Sequence, residues 1–320
     1  MNFGIIGLGN IANKFAKTIN LMNESLYAVA SRDIKKAEDF AQKYNSEKYY
    51  GSYEELLNDP NVDIVYISTP NSMHFENAYN ALNKGKHVIC EKPFTTNHMD
   101  AIKLYSLAKE KNLFIMEALW IEFLPAYKKI KEIINNKIIG DIKDITVSYG
   151  FDTNDDRKIR KFDSNLAGGA LLDIGIYNLA FIDMILNDDV ISFKSNYRLN
   201  EFNTDEYSKI ELLYKNNIKA TLTTTIGENL KREAYINGTK GKIYIPDFQQ
   251  HQEFVLITDE SKTYSYPFEI NGFEYQIKEA IDSINNNRNE SIIYPASVSI
   301  RLMKLLYDIR MSWGMKFIYE

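Results

Sequence analysis

Over the first 120 residues, short apolar runs alternate with stretches in which apolar side chains recur every three or four positions. "FGIIG", "LYAVAS", "DIVYIST", "HVICE" and "LFIMEALW" are apolar segments of strand length. Continuous runs of this kind mark strands buried on both faces of a parallel sheet. Between them Ile11, Phe15, Ile19 and Met22 keep helical spacing. "DIKKAEDFAQKY", with Asp33 placed to cap it, reads as a helix. So do "SMHFENAYNALNKG", closed by Gly85, and the stretch from Asn97 to Lys111. Strands alternating with helices of about ten to fifteen residues predict βαβ units and a doubly wound parallel sheet.

The pattern changes after Trp120. A helix is predicted over 125–136, then the strand "DIKDITVSYGF". The apolar stretch from Gly168 to Leu186 reads as one helix. Six strand-like runs follow: "ISFKSNYRL", "SKIELLYKN", "IKATLTTTI", "EAYING", "GKIYIP" and "EFVLIT". Several alternate with period two, as Ile210, Leu212 and Tyr214 do against Lys209, Glu211 and Lys215. "NGTKG" supplies a hairpin turn between two of them. These runs predict an open, mostly antiparallel sheet with helices on one face. The other face, carrying Thr221, Thr223 and Thr225, is left for solvent or a partner. Helices over 273–286 and 296–313 end the chain. The fold class is therefore α/β: a Rossmann domain over 1–120 and an α+β domain over 121–320.

Composition narrows the function. A chain of 320 residues, 45% hydrophobic and 25% charged, fits two domains with substantial cores. The net charge of -5, with no long basic run, gives no support for nucleic acid or an anionic membrane as partner. No apolar run approaches a bilayer-spanning length on this reading, and the chain opens directly on a strand without a leader. A cytoplasmic protein is expected. The single cysteine, Cys90, rules out an internal disulfide framework and suits a small buried hydrophobe better than a nucleophile. His74, His87, His98 and His251 are not spaced as metal ligands, so no metal is expected.

The first chemical motif is "GLGNIA", Gly7, Leu8, Gly9, Asn10, Ile11 and Ala12. It follows a strand and opens a helix, the context of a dinucleotide-binding turn. Gly7 permits the tight turn, Gly9 lets the backbone approach a pyrophosphate, and Ala12 lets helix and strand pack closely. The second strand ends in "ASRD". Ser31 and Arg32 stand where an NAD site wants a carboxylate, which favours NADP(H). Asp33 is the competing ribose ligand, and NAD(H) stays possible. Thr69, Pro70 and Asn71 end the next strand at the same carboxyl edge. They are candidates for cofactor contact or plain turn residues, and His74 is a candidate for the cofactor edge. "CEKPF" brings Lys92 to that edge, with Pro93 barring helical continuation through it. Glu91 is open to a structural or a cofactor role.

"GGALLDIGIYNL" places Asp173 and Tyr177 one helical turn apart on a segment that otherwise reads as buried. A buried Asp is costly without a partner. Tyr177 beside an ammonium such as Lys92 becomes a usable acid/base. A buried Tyr bonded to a buried Asp remains the competing reading of the segment alone.

In their order and spacing, "GLGNIA", "STPNSMH", "CEKPF", "EALW" and "GGALLDIGIY" resemble the Gfo/Idh/MocA oxidoreductases. "MEALWIEFLPAY" and "NGFEYQIKEAI" resemble most the branch that holds dihydrodiol and NADP-dependent D-xylose dehydrogenases. The resemblance runs over nearly the whole chain. It implies a Lys92 beside substrate and nicotinamide, a Tyr177 acting as general acid/base, and an Asp173 that holds substrate or orients the pair. It also implies a homodimer through the sheet face. Glu122 departs from that branch, which usually has Arg there, so substrate identity does not transfer. The expected activity is hydride transfer between NADP(H) and a secondary alcohol or hemiacetal carbon of a sugar or related polyol, with Trp120 as an apolar wall. A non-catalytic dinucleotide sensor and a reductase of imines or enones are the rivals.

Overall fold

The computed structural model describes residues 1–153 and 157–317, the side chains of 157–159 excepted. The chain divides into two compact units, residues 1–120 with 269–304 and residues 121–268 with 305–320.

The first unit is built on β1 (Asn2–Ile6), β2 (Ser25–Ala30), β3 (Lys48–Tyr50), β4 (Ile64–Ile67), β5 (His87–Glu91) and β6 (Ile115–Ala118). All pair in parallel, in the order β3-β2-β1-β4-β5-β6. The helices α1 (Asn10–Leu21), α2 (Ile34–Tyr44), α3 (Tyr53–Asn58), α4 (His74–Asn83) and α5 (His98–Glu110) connect them. The order reverses at β1, where the chain crosses from one half of the sheet to the other, and ligands of such sheets bind outside the carboxyl ends at that point. All four residues of β4 are fully buried, as its unbroken apolar run requires. β3 and α3 escape the periodicity reading because each is too short to show a period. Ser52 and Glu55 do form a capping box at the start of α3, a signal present in the sequence.

The second unit contains α6 (Ala126–Asn135), β7 (Ile142–Asp152), α7 (Arg157–Phe162), α8 (Ile176–Leu186), β8 (Ser192–Leu199), β9 (Asp205–Leu213) and β10 (Lys219–Thr225). β11 (Gly227–Gly238), β12 (Lys242–Ile245), β13 (Glu253–Ile257) and β14 (Ser261–Ser265) complete it. Its sheet runs β14-β13-β12-β11-β7-β10-β9-β8. Every pairing is antiparallel except β10 with β7. α8 lies on one face, where Asn178 Nδ2 donates to Thr224 Oγ1 at 2.8 Å. On β10, Ala220, Leu222 and Thr224 are buried on that side, while Thr221 and Thr223 are half-buried on the other. Thr225, expected on the open face, is fully buried. There Gly150 of β7 comes so close that an added Cβ would lie 2.6 Å from Thr225 Cγ2.

Two expectations are corrected. Ser164–Leu186 is long and apolar enough to cross a membrane by length and composition, yet in the fold it is mostly buried within the second unit. Residues 269–304, assigned to the second domain from sequence, group with the first unit. They include α9 (Phe273–Asn285) and the start of α10 (Ala296–Ser312). Side-chain bonds explain the grouping. Asn271 donates to Thr18 of α1 at 2.8 Å, and Tyr294 and Ser299 donate to Glu117 of β6 at 2.9 and 2.6 Å. Periodicity shows that a helix has a buried face but not which sheet covers it. Residues 318–320, the end of the predicted second domain, lie outside the described residues.

Candidate functional site

In the first unit the glycine turn joins β1 to α1. Gly7 has φ +85°, and a Cβ there would come within 2.6 Å of the Ser68 and Thr69 backbone at the end of β4. Ser68 Oγ donates to the Gly7 carbonyl at 2.8 Å, which fixes the two loops to each other. Gly9, by contrast, faces open space: nothing lies within 4 Å of where a Cβ would stand. It is the N-cap of the twelve-residue α1 and brings no side chain to cap it. Leu8 and Ala12 turn their side chains into the core, while Asn10 is exposed and Ile11 half-buried. An open glycine ahead of uncapped N–H groups, at the positive end of a helix dipole, fits a pyrophosphate.

At the end of β2, Ser31 is buried and its Oγ accepts from the Asp33 N–H at 3.2 Å. Asp33 caps α2, its Oδ1 accepting from Lys35 and Lys36 N–H at 3.0 and 3.4 Å. Arg32 between them is exposed. The carboxylate that competes for a ribose is thus engaged by its own helix.

At the carboxyl edge of β4 and β5, Thr69, Pro70 and Asn71 turn into α4, and Asn77 Nδ2 donates to Thr69 Oγ1 at 3.0 Å. His74 is buried, with Nδ1 2.8 Å from the Pro93 carbonyl and Nε2 2.9 Å from that of Thr69. It lies between the two edge turns, and as a neutral ring it donates to one of these carbonyls. Burial pushes its pKa down, and Lys92 nearby acts in the same direction. Glu91 is buried and accepts from Tyr66 Oη at 2.5 Å. Burial raises its pKa against the opposing pull of that bond and of Lys92. Lys92 itself is half-buried and precedes a cis peptide to Pro93. Trp120 is buried beside Phe273, ring centroids 5.4 Å apart.

In the second unit Asp173 and Tyr177 rest on a backbone that the two glycines make possible. A Cβ on Gly168 would strike the Lys161 carbonyl, and one on Gly169, where φ is +119°, would strike the Asp205 carboxylate. Gly169 N–H donates to the Lys161 carbonyl at 2.8 Å, and Asp205 Oδ2 accepts from Leu171 N–H at 2.7 Å. Burial pushes the Asp205 pKa up to about 7. Residues Leu171–Gly175 then form a π-helical turn instead of the regular helix expected, and α8 follows. Such wide turns often occur at functional sites. From Ala167 to Met184 every residue is buried except Asp173. Asp173 Oδ2 lies 2.9 Å from Lys161 Nζ, which stands 3.9 Å from the centre of the Phe151 ring. Tyr177, 6% exposed, has its ring centre 6.4 Å from that of Tyr149.

Residues 1–119 match the oxidoreductase family with an NAD-binding Rossmann fold, and residues 127–244 match the GFO/IDH/MocA C-terminal domain. The chain belongs to the Gfo/Idh/MocA oxidoreductases. Like other Gfo/Idh/MocA chains it is an NAD(P)-binding oxidoreductase. It is 33% identical to mouse trans-1,2-dihydrobenzene-1,2-diol dehydrogenase over 99% of this chain and 98% of the mouse chain. The Xenopus tropicalis protein of the same name is 35% identical over 83% of this chain and 81% of its own. In fold this Gfo/Idh/MocA chain is similar to a 3-ketoreductase from Actinomadura kijaniata in complex with NADP and TDP-benzene. That match has a TM-score of 0.89 and 22% identity over 97% of each chain. An aldose-aldose oxidoreductase from Caulobacter crescentus gives a TM-score of 0.88 and 21% identity over 98% of this chain and 97% of its own.

Four contributors lie outside the residues singled out from sequence. Lys161 is one. Glu117 is another, its Oε1 accepting from Phe94 N–H at 3.0 Å just after the Lys92–Pro93 turn. Asp205 is the third, and Lys14, its Nζ 4.2 Å from the centre of the Trp120 ring, is the fourth. Glu117 carries a readable signal, a lone carboxylate inside an apolar strand, which must be partnered. Lys161 and Asp205 carry none, because their partners are remote in sequence or set by an irregular turn.

Proposed function

We propose that the chain is an NADP(H)-dependent oxidoreductase acting on a secondary alcohol or hemiacetal carbon of a sugar or related cyclic polyol. The observation that carries this reading is the polar pair Asp173–Lys161, half-exposed on an otherwise buried segment one turn before Tyr177. The names of the relatives support the substrate class: a cyclic diol in the sequence relatives, an aldose in one fold neighbour. Gly7, Gly9 and the start of α1 would hold the pyrophosphate, and Arg32 the 2′-phosphate. When bound, the cofactor supplies a hydride acceptor or donor at its nicotinamide ring.

The chain's residues manage the proton and the oxygen. Tyr177 takes the hydroxyl proton on oxidation and returns it on reduction. Lys92 stabilises negative charge on the substrate oxygen and favours the tyrosinate. Asp173, its charge balanced by Lys161, accepts hydrogen bonds from substrate hydroxyls. Tyr177→Phe removes the proton carrier with little loss of volume. Turnover should fall by about 10²–10⁴-fold with NADPH affinity nearly unchanged. The assay is a panel of aldoses, inositols and cyclic diols with NADP+, followed at the nicotinamide absorbance. Activity of the variant within about threefold of the parent would remove Tyr177 from the mechanism. Turnover of imines or enones alone would replace the substrate class.

A further inference from the structure

Lys14 lies one turn into the dinucleotide helix α1. Its Nζ stands 4.2 Å from the centre of the Trp120 ring and 4.1 Å from that of Phe273. Glu91 at the end of β5 and Glu274 on α9 act on it electrostatically. Glu274 is fully buried and anchored: its carboxylate accepts from the N–H groups of Ile270, Asn271 and Gly272 at 2.9, 3.1 and 2.7 Å. One turn further along α1, on the same face, Thr18 Oγ1 donates to Asn271 Oδ1 at 3.1 Å. Lys14 and Thr18 therefore grip the same short loop, residues 270–273, from one stripe of the helix that follows the glycine turn.

We infer that Lys14 is a positioning residue for the reaction: its ammonium, held between Trp120 and Phe273, fixes the Trp120 ring and the 270–273 loop to the dinucleotide helix. The functional consequence rests on the reading of Trp120 as a substrate wall; the coupling itself does not. A cation over two aromatic faces is attracted by both ring quadrupoles. The charge has to be kept to do this, and its surroundings make it titratable. Burial lowers the Lys14 pKa to about 8, the two carboxylates opposing the fall. Lys92 also pulls on Glu91, and at the preceding residue of α1 Lys43 and Tyr44 of α2 donate to Asn13 Oδ1. A lysine in this place thus holds the ring at neutral pH and releases it in mild alkali.

The chain has two tryptophans, so Trp313→Phe leaves Trp120 as the only reporter. In that protein Trp120 emission is followed from pH 6 to pH 10. A transition with a midpoint near 8 is expected. Lys14→Arg should keep the low-pH spectrum throughout, because a guanidinium stays charged. Lys14→Met should show the high-pH spectrum throughout, with greater acrylamide quenching of Trp120, and Lys14→Arg should restore the protection. A flat titration in the parent, or the same transition in Lys14→Met, would overturn the assignment. Should Lys14→Met fail to fold, the parent and the arginine variant decide alone. None of these readouts needs turnover, so they stand apart from the outcome for Tyr177→Phe.

Discussion

Glu117 offers a test that isolates one buried group. It is fully buried on β6 and accepts from Phe94 N–H, Tyr294 Oη and Ser299 Oγ. Burial dominates these bonds and raises its pKa from 4.5 to about 7. The folded state then holds the proton more tightly than the unfolded state does. Its contribution to stability is fully present below about pH 4.5 and is lost as pH rises to about 7. At about 1.4 kcal/mol for each pKa unit, the interval amounts to about 3 kcal/mol. Glu117→Gln keeps the shape. Its amide oxygen still accepts from Phe94, and its NH₂ can donate to the two hydroxyls, which rotate to accept. The amide does not ionise, so the variant escapes the loss. Parent and variant are unfolded by denaturant at several pH values between 4.5 and 8, and their stabilities are subtracted. Titrating groups that do not feel the Glu117 charge cancel, and Glu91, which acts on it electrostatically, adds only a smaller term. The variant should gain on the parent by about 3 kcal/mol across the interval and then level off. A difference that stays constant with pH, or that moves the other way, would refute the claim that Glu117 is ionised at a cost in the folded protein.

Two further expectations follow from the cofactor edge and the open sheet face. An arginine–phosphate hydrogen bond between charged partners is worth about 1.5–3 kcal/mol, so NADPH should bind over NADH by roughly 10- to 100-fold. Arg32→Ala should remove most of that preference by weakening NADPH alone; equal affinity of the parent for both cofactors, read by fluorescence titration, would defeat it. The open face of the second sheet carries Thr221, Thr223 and the stacked pair Tyr235–Tyr244, ring centroids 4.7 Å apart. Face-to-face packing of two such sheets should give a dimer at micromolar concentration, and a strictly monomeric mass by light scattering would contradict it.

The parts of the fold legible in the sequence are those with a long period or a strong terminal signal. Five of the six Rossmann strands declared themselves as apolar runs, β3 being too short to do so, and Asp33 declared α2. The glycine turn could be read because Gly7 answers a positive φ and a close approach that other residues do not tolerate. The candidate site in the second unit was half legible. Asp173 and Tyr177 stood out as polar residues in an apolar run, but the π-turn beneath them did not. It is set by the Asp205 carboxylate, 34 positions from the Leu171 N–H it holds. Lys161 was illegible for a related reason. Its place comes from a backbone clamp on Gly169, and one of four basic residues on a six-residue helix looks like any solvated one. Lys14 was hidden because its neighbours Trp120, Phe273 and Glu274 converge on it from separate parts of the chain.

The first unit is assembled from two stretches of chain with the whole sheet of the second inserted between them. On the ribosome this imposes a schedule. Once Glu117 has emerged, Tyr294 and Ser299, which donate to its carboxylate, are still to be made. At roughly 5–20 residues per second the gap is on the order of ten to thirty-five seconds. During that time β6 carries a carboxylate without two of its donors, and the loop that Lys14 and Thr18 grip does not yet exist. The nascent Rossmann half must therefore wait with its last edge unfinished, and a chain arrested before residue 294 presents that edge to whatever chaperone or protease surveys unfinished proteins.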